Sequence, residues 1–260
     1  MIPKKIHYCW FSGEDFPEEI RKCMESWARM LPDYELVLWD AEKAYSTGIP
    51  WVRDALEQRR WAFASDAVRL YALYSQGGIY LDTDVEVLKS FDDLLEREYF
   101  FGYENGSKRI EGAVMGAAPN SPAVAKALEF YRTHPFGYKE SEVDDLVLPN
   151  ILARAFEDMP DLEIFPEHVF SPKSYIDGKV RLNPGTLCIH HFSSSWRPES
   201  VRRGIARRQK LYEVFPRPLA HCLARILSVW TNLQNLGFVG SVKKEQQQKQ
   251  AEQEHKSLAN

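Results

Sequence analysis

Apolar positions in the first half of the chain alternate between a period of two and a period of three to four. Residues 6–11 alternate and are rich in aromatics, which predicts a strand. Residues 17–30 carry Ile20, Cys23, Met24 and Trp27 at helical spacing, and a second strand is predicted over 35–39, ending at Asp40. A helix is predicted over 52–58. A longer one follows over 61–75, with Ala64, Val68, Tyr71 and Ala72 on its apolar side. Gly77 and Gly78 stop that helix. Directly after them, Ile79, Tyr80 and Leu81 form a short unbroken apolar run, the pattern of a buried strand.

Strands are also predicted over 99–103 and 113–117, and Ser121-Pro122 starts a helix that runs to about 133. Residues 142–156 read as helix, broken or kinked by Pro149. Late strands are expected over 162–165 and 188–192, then a basic helix over 199–215 and a charged, glutamine-rich tail from 243. Strands and helices taken in turn predict an α/β sandwich. Ligands of such sheets bind beyond the carboxyl ends of the strands.

Composition narrows the classes. A chain of 260 residues with 44% hydrophobic positions can bury a sizeable core. Its net charge of -4 gives no reason to expect a nucleic-acid partner. Cys9, Cys23, Cys188 and Cys222 are scattered, so neither a zinc site nor a disulfide framework is expected. The first residues lack the apolar run of a signal peptide, and the expectation is a cytoplasmic protein. No stretch reads as a membrane span. The best candidate, 219–240, carries His221, Arg225, Asn232, Gln234 and Asn235, which are costly in hydrocarbon.

The candidate chemistry sits where the apolar run ends. Asp82 and Asp84 flank Thr83, and residues two apart on a strand point the same way. Adjacent carboxylates raise each other's pKa unless a cation lies between them, and Mg²⁺ or Mn²⁺ suits such a pair. Upstream, Asp66 and Arg69 share a face of the preceding helix. They read either as a surface ion pair or as groups facing the same cleft as the carboxylates.

These residues resemble glycosyltransferase family 32, whose signature is an Asp-x-Asp pair. Three blocks carry the resemblance: Ile2 to Phe11, Ser65 to Leu70 leading to Gly77 to Asp84, and His190 to Trp196. The resemblance implies a GT-A fold, a nucleotide-sugar donor, a divalent metal (Mn²⁺ or Mg²⁺) and retention of anomeric configuration. It implies catalytic roles for Asp66, Arg69, Asp82 and Asp84. Asp84 would bind the metal directly, and Asp82 the metal, its water, the ribose or the sugar. Asp66 and Arg69 would contact sugar hydroxyls, Arg69 also a phosphate. Trp10 would stack on the nucleobase unless it is a core aromatic, and Tyr80 would line the donor site. Ser194 or Ser195 and the Trp196 indole would bond diphosphate oxygens. His190 and His191 are neighbours on a strand, so only one can face the site. Similarity to the related clostridial toxins favours His191 as a metal ligand. Glu111 stands where relatives often carry Asn, which leaves it without a clear role.

The donor expected is a UDP-hexose, UDP-galactose first, with GDP-mannose as the alternative. The acceptor expected is a saccharide or a lipid-linked oligosaccharide, in bacterial surface-polysaccharide assembly. Residues 1–215 are expected to form the catalytic domain and 216–260 an amphipathic helix and tail. Leu219, Leu223, Ile226, Trp230, Leu233 and Leu236 recur at helical spacing, beside Arg202, Arg203, Arg207, Arg208, Lys210 and Arg217. That pattern can lie on the inner face of the cytoplasmic membrane, pack on the domain or pair subunits. Two rival readings are a phosphatase of the haloacid-dehalogenase kind, suggested by Asp-Thr-Asp-Val, and a non-catalytic nucleotide-sugar-binding protein.

Overall fold

The computed structural model describes residues 1–106, 109–137, 143–193 and 199–227. The chain divides into two compact units, Met1–Trp196 and Arg197–Asn260.

The first unit opens with strand β1 (Lys5–Cys9), helix α1 (Glu18–Met30), strand β2 (Glu35–Trp39) and helices α2 (Ala41–Tyr45), α3 (Pro50–Glu57) and α4 (Trp61–Gln76). Strands β3 (Gly78–Leu81), β4 (Val85–Val87), β5 (Tyr99–Gly102) and β6 (Val114–Ala117) follow, then helices α5 (Pro122–Thr133), α6 (Val143–Leu146) and α7 (Leu148–Ala155). It closes with β7 (Ile164–Phe165), α8 (Glu167–Phe170) and β8 (Cys188–His190). Pro149 sits in the first turn of α7, where its missing N–H costs nothing, so the helix predicted over 142–156 is broken into two.

Six strands form the main sheet in the order β2-β1-β3-β6-β5-β7, and β4 pairs with β8 in a second, two-stranded sheet. β1 runs parallel to both β2 and β3, whereas β6 is antiparallel to β3. The mixed α/β class with a parallel-rich centre is the one expected, and helices follow in the second unit.

Both faces of the main sheet are covered. Tyr80 and Met115 point into a core shared with α3, α4, α5 and α7; Ile79, Leu81 and Val114 point into another that includes Trp27 of α1 and Phe170 of α8. This is why β3 is apolar without alternation. Helix α4 is buried nearly all round, Ser65 and Arg69 included. The ion pair at 66 and 69 is therefore not a surface pair.

A tight turn joins α4 to β3. Gly77 has φ +65, and a Cβ there would lie 2.5 Å from Pro119 Cδ and 2.9 Å from Pro3 Cδ, so only glycine fits. His7 holds the turn from below. The Trp39 indole N–H donates to His7 Nδ1 at 3.1 Å, which leaves Nε2–H to donate to the Gly77 carbonyl at 2.9 Å. Burial pushes the His7 pKa down to about 4, against the pull of the Gly77 carbonyl, so the ring is neutral and fully bonded. The aromatic N-terminal block thus supports the glycine turn.

In the second unit, helix α9 (Glu199–Val214) leads to a further helical stretch over residues 217–227. Tyr212, Ala220 and Ala224 form its small core. Among the described residues no helix is long and apolar enough to cross a membrane.

Candidate active site

The chain leaves the main sheet at Leu81 and enters the small sheet at Val85, so Asp82 to Asp84 form the junction between the two. A turn closes there, with Val85 N–H donating to the Asp82 carbonyl at 3.0 Å, and Asp82 N–H reaches the Ala113 carbonyl at 2.8 Å. The two carboxylates therefore converge through a turn, not through strand alternation. They lie at the carboxyl end of β3, beside Cys9 at the end of β1, where the sheet changes from parallel to antiparallel.

One side of the junction is an arginine clamp. Arg69 Nη2 lies 3.0 Å from Asp66 Oδ1 and 3.3 Å from Asp82 Oδ1. Its other nitrogens donate to the Gly112 carbonyl at 2.6 Å and the Ser65 carbonyl at 3.2 Å, and its face stacks over the Tyr80 ring at 4.5 Å. The Tyr80 hydroxyl donates to Asp82 Oδ1 at 3.0 Å. Both contacts on Asp82 thus fall on one oxygen. Burial pushes the Asp66 pKa up to about 6, opposed by Arg69 and assisted by Asp82. Burial likewise raises Asp82, with Arg69 opposing and Asp84 adding.

The other side is built from β8. Register places His190 opposite Val85, next to Asp84. His190 Nε2 lies 3.6 Å from Asp84 Oδ1, and its Nδ1 lies 3.2 Å from the buried Glu111 carboxylate. Burial would lower the His190 pKa, but Glu111 and Asp84 outweigh it and bring it to about 10. Glu111 is held at about 2: burial raises it, and the His190 charge, their hydrogen bond and the Ala113 N–H more than reverse that. Asp84 Oδ2 accepts the Ser193 N–H at 2.8 Å, fixing the chain just after the histidines.

His191 is placed differently from the expectation. Its side chain turns away to Glu86, Nε2 to Oε2 at 3.0 Å, and it is His190 that joins the carboxylates. Strand alternation decides this: Cys188 and His190 point inward, and His191 cannot. Phe192 then takes a left-handed φ of 54, ending the strand earlier than predicted. Trp10 lies at the end of β1 with its ring against Phe16 at 4.7 Å, and its indole N–H donates to the Glu14 carbonyl at 2.7 Å. Its contacts are with that loop, not with the carboxylates. Ser194, Ser195 and Trp196 lie outside the described residues. Sequence reasoning passed over His190 and Glu111. The residues before the two histidines, Cys188 and Ile189, are both apolar and gave no signal to separate them.

Asp82, Asp84 and His190 each offer a ligand atom, and these atoms lie within 4.8 Å of one another. Two carboxylates and an imidazole suit a divalent ion of the Mn²⁺ kind. The second oxygen of Asp82 is spared by the clamp, so this donor set fits a metal.

Residues 17–101 match the family described as the glycosyltransferase sugar-binding region containing the DXD motif, a span that includes α4 and both carboxylates. Over this region the chain resembles the DXD glycosyltransferases. It is 32% identical over 133 residues to a mannosyl phosphorylinositol ceramide synthase of Saccharomyces cerevisiae, covering 50% of this chain and 34% of that protein. It is 33% identical over 141 residues to inositol phosphoceramide mannosyltransferase 3 of Schizosaccharomyces pombe, covering 53% and 39%. The chain thus spans little more than a third of the length of these relatives. Among solved structures, the PaToxG glycosyltransferase aligns with TM-score 0.49 and 19% identity, over 62% of this chain and 71% of that one.

Proposed function

We propose that this chain is a retaining, metal-dependent glycosyltransferase that moves a hexose from a nucleotide sugar to a saccharide-bearing acceptor. The observation that carries the reading is the meeting of Asp82, Asp84 and His190 beside the Asp66–Arg69 clamp, inside a DXD region. Asp82, Asp84 and His190 would hold a divalent ion, whose positive charge would stabilise a departing diphosphate. Arg69 adds a fixed, water-shielded positive charge and holds Asp82 with one oxygen free. Asp66, kept in place by Arg69, is positioned to accept from sugar hydroxyls. Tyr80 acts on Asp82 from behind. Trp10, Ser194, Ser195 and Trp196 belong to the same proposal as donor contacts.

For the donor, the names of the yeast relatives favour mannose, hence a GDP-mannose donor, over the UDP-galactose first expected. The acceptor then includes a lipid-borne saccharide or polyol. Residues 1–215 as the catalytic stretch, and residues 216–260 as an appended helix and tail, belong to the proposal too. The exposed basic side chains Arg202, Arg207, Lys210 and Arg217 would bring such an enzyme to the anionic inner face of a cytoplasmic membrane. A role in surface-polysaccharide assembly fits that placement.

Donor hydrolysis across a panel of GDP- and UDP-sugars, with Mn²⁺ and with EDTA, tests the reading. Metal-dependent turnover of GDP-mannose is expected. Turnover of UDP-galactose alone would restore the first donor. No turnover and no metal-dependent nucleotide binding would leave a non-catalytic binding protein.

A further inference from the structure

Glu111 is a buried carboxylate, 2% exposed, on the segment that leads into β6. Such a group is costly to bury unless it is fully paired. Its own N–H is taken by the Gly102 carbonyl at 2.7 Å, and its Oε1 accepts the Ala113 N–H at 2.9 Å. A neutral amide oxygen would satisfy that N–H equally well. What a carboxylate adds is directed at His190: Oε1 and Oε2 both lie 3.2 Å from Nδ1.

The consequence for the imidazole is geometric. A ring whose Nδ1–H is given to a carboxylate presents Nε2 as its free ligand atom, in one plane and one tautomer. Nε2 is the atom on the Asp84 side, 3.6 Å from Oδ1. The same short segment also holds the rest of the site. The Gly112 carbonyl accepts from Arg69, and the Ala113 carbonyl accepts the Asp82 N–H. Residues 111–113 therefore align the imidazole, the clamp and the first carboxylate from one piece of backbone.

We propose that Glu111 is a positioning residue: it fixes His190 so that Nε2 faces Asp82 and Asp84 and serves a divalent cation there. This rests on the metal-dependent reading of the site. Partners of this kind orient ligand imidazoles and raise their basicity.

The test is Mn²⁺ affinity of the full chain without donor, read from the electron paramagnetic resonance signal of free Mn²⁺. Glu111→Ala and Glu111→Gln are each measured alone and combined with His190→Ala. Asp84→Ala is the control. Glu111→Ala should weaken Mn²⁺ by about 10–100-fold. Glu111→Gln, which keeps an acceptor oxygen but loses the charge, should weaken it less. Both losses should vanish in the His190→Ala background, because Glu111 then has no ring to hold. If Glu111→Ala does not fold, the Glu111→Gln cycle decides alone. Equal losses with and without His190, or no loss in either Glu111 variant, would overturn the proposal. An Asp84→Ala protein that binds Mn²⁺ like the parent would instead overturn the metal site itself.

Discussion

Two basic side chains flank the Asp82–Asp84 pair, each on a different carboxylate, and they are not equivalent. Arg69 faces Asp66 and Asp82, and His190 faces Glu111 and Asp84. Guanidinium never gives up its proton, so Arg69 can neutralise and orient but cannot ligate a metal. Imidazole can lose one proton and keep the other, so His190 can be oriented by Glu111 and still offer a lone pair. The clamp side is local: Asp66 and Arg69 share one turn of α4. The histidine side is assembled at long range, with Glu111 and His190 79 positions apart in the chain. The clamp therefore belongs to the framework as much as to the site. The histidine side is the one that the proposed reading assigns to a metal.

The sharpest way to break this contrast is Asp84→Ala. Transfer should fall by at least about 10²–10³-fold, as when a group stabilising developing charge is removed. Circular dichroism and the unfolding midpoint should change little. Full activity in a folded Asp84→Ala protein would sink the metal assignment. Arg69→Met should do the reverse in stability, because it leaves Asp66 and Asp82 without their cation. A loss of about 3–5 kcal/mol is expected in urea unfolding, and a loss below 1 kcal/mol would show that the clamp is not part of the framework.

The glycine turn beneath the carboxylates sharpens the contrast through pH. His7 has a folded pKa of about 4, below the usual 6.5. Above pH 6.5 both folded and unfolded chains carry it neutral, and its contribution is fully present. As pH falls from 6.5 to 4 the unfolded chain takes up a proton that the folded one refuses, so stability is lost by up to roughly 3 kcal/mol. Urea unfolding of His7→Gln across this range should show a shallower fall than the parent. A parallel fall would remove His7 from the account. The smallest effect is expected from His191→Ala. Its Glu86 partner and its own side chain are 37% and 36% exposed, so stability should move by no more than about 1 kcal/mol. Mn²⁺ affinity should stay at the parent value. A large drop there would return His191 to the metal.

The α/β class, α4, the Gly-Gly stop and the strand ending in Asp-x-Asp were all legible because each depends on neighbours in sequence. Periodicity, a positive φ that only glycine adopts well and a run of apolar residues are local quantities. So is the spacing of Asp66 and Arg69, although its burial is not: only the helices packed around α4 removed that pair from water. The choice between His190 and His191 was open in the sequence, since neighbouring residues on a strand always face opposite ways. The pairing of β8 with β4 settled it, by setting His190 against Val85. Glu111 was illegible for the same reason, because a buried acid makes sense only beside the partner that the fold brings to it.

The sequence alone thus determined the helix that carries Asp66 and Arg69, and the glycine turn and strand that lead to Asp82 and Asp84. The tertiary structure decided which histidine meets them and which carboxylate holds that histidine. The physical reason is range: backbone preference and side-chain periodicity act over a few residues, whereas desolvated charge pairs form only after distant strands have set their register.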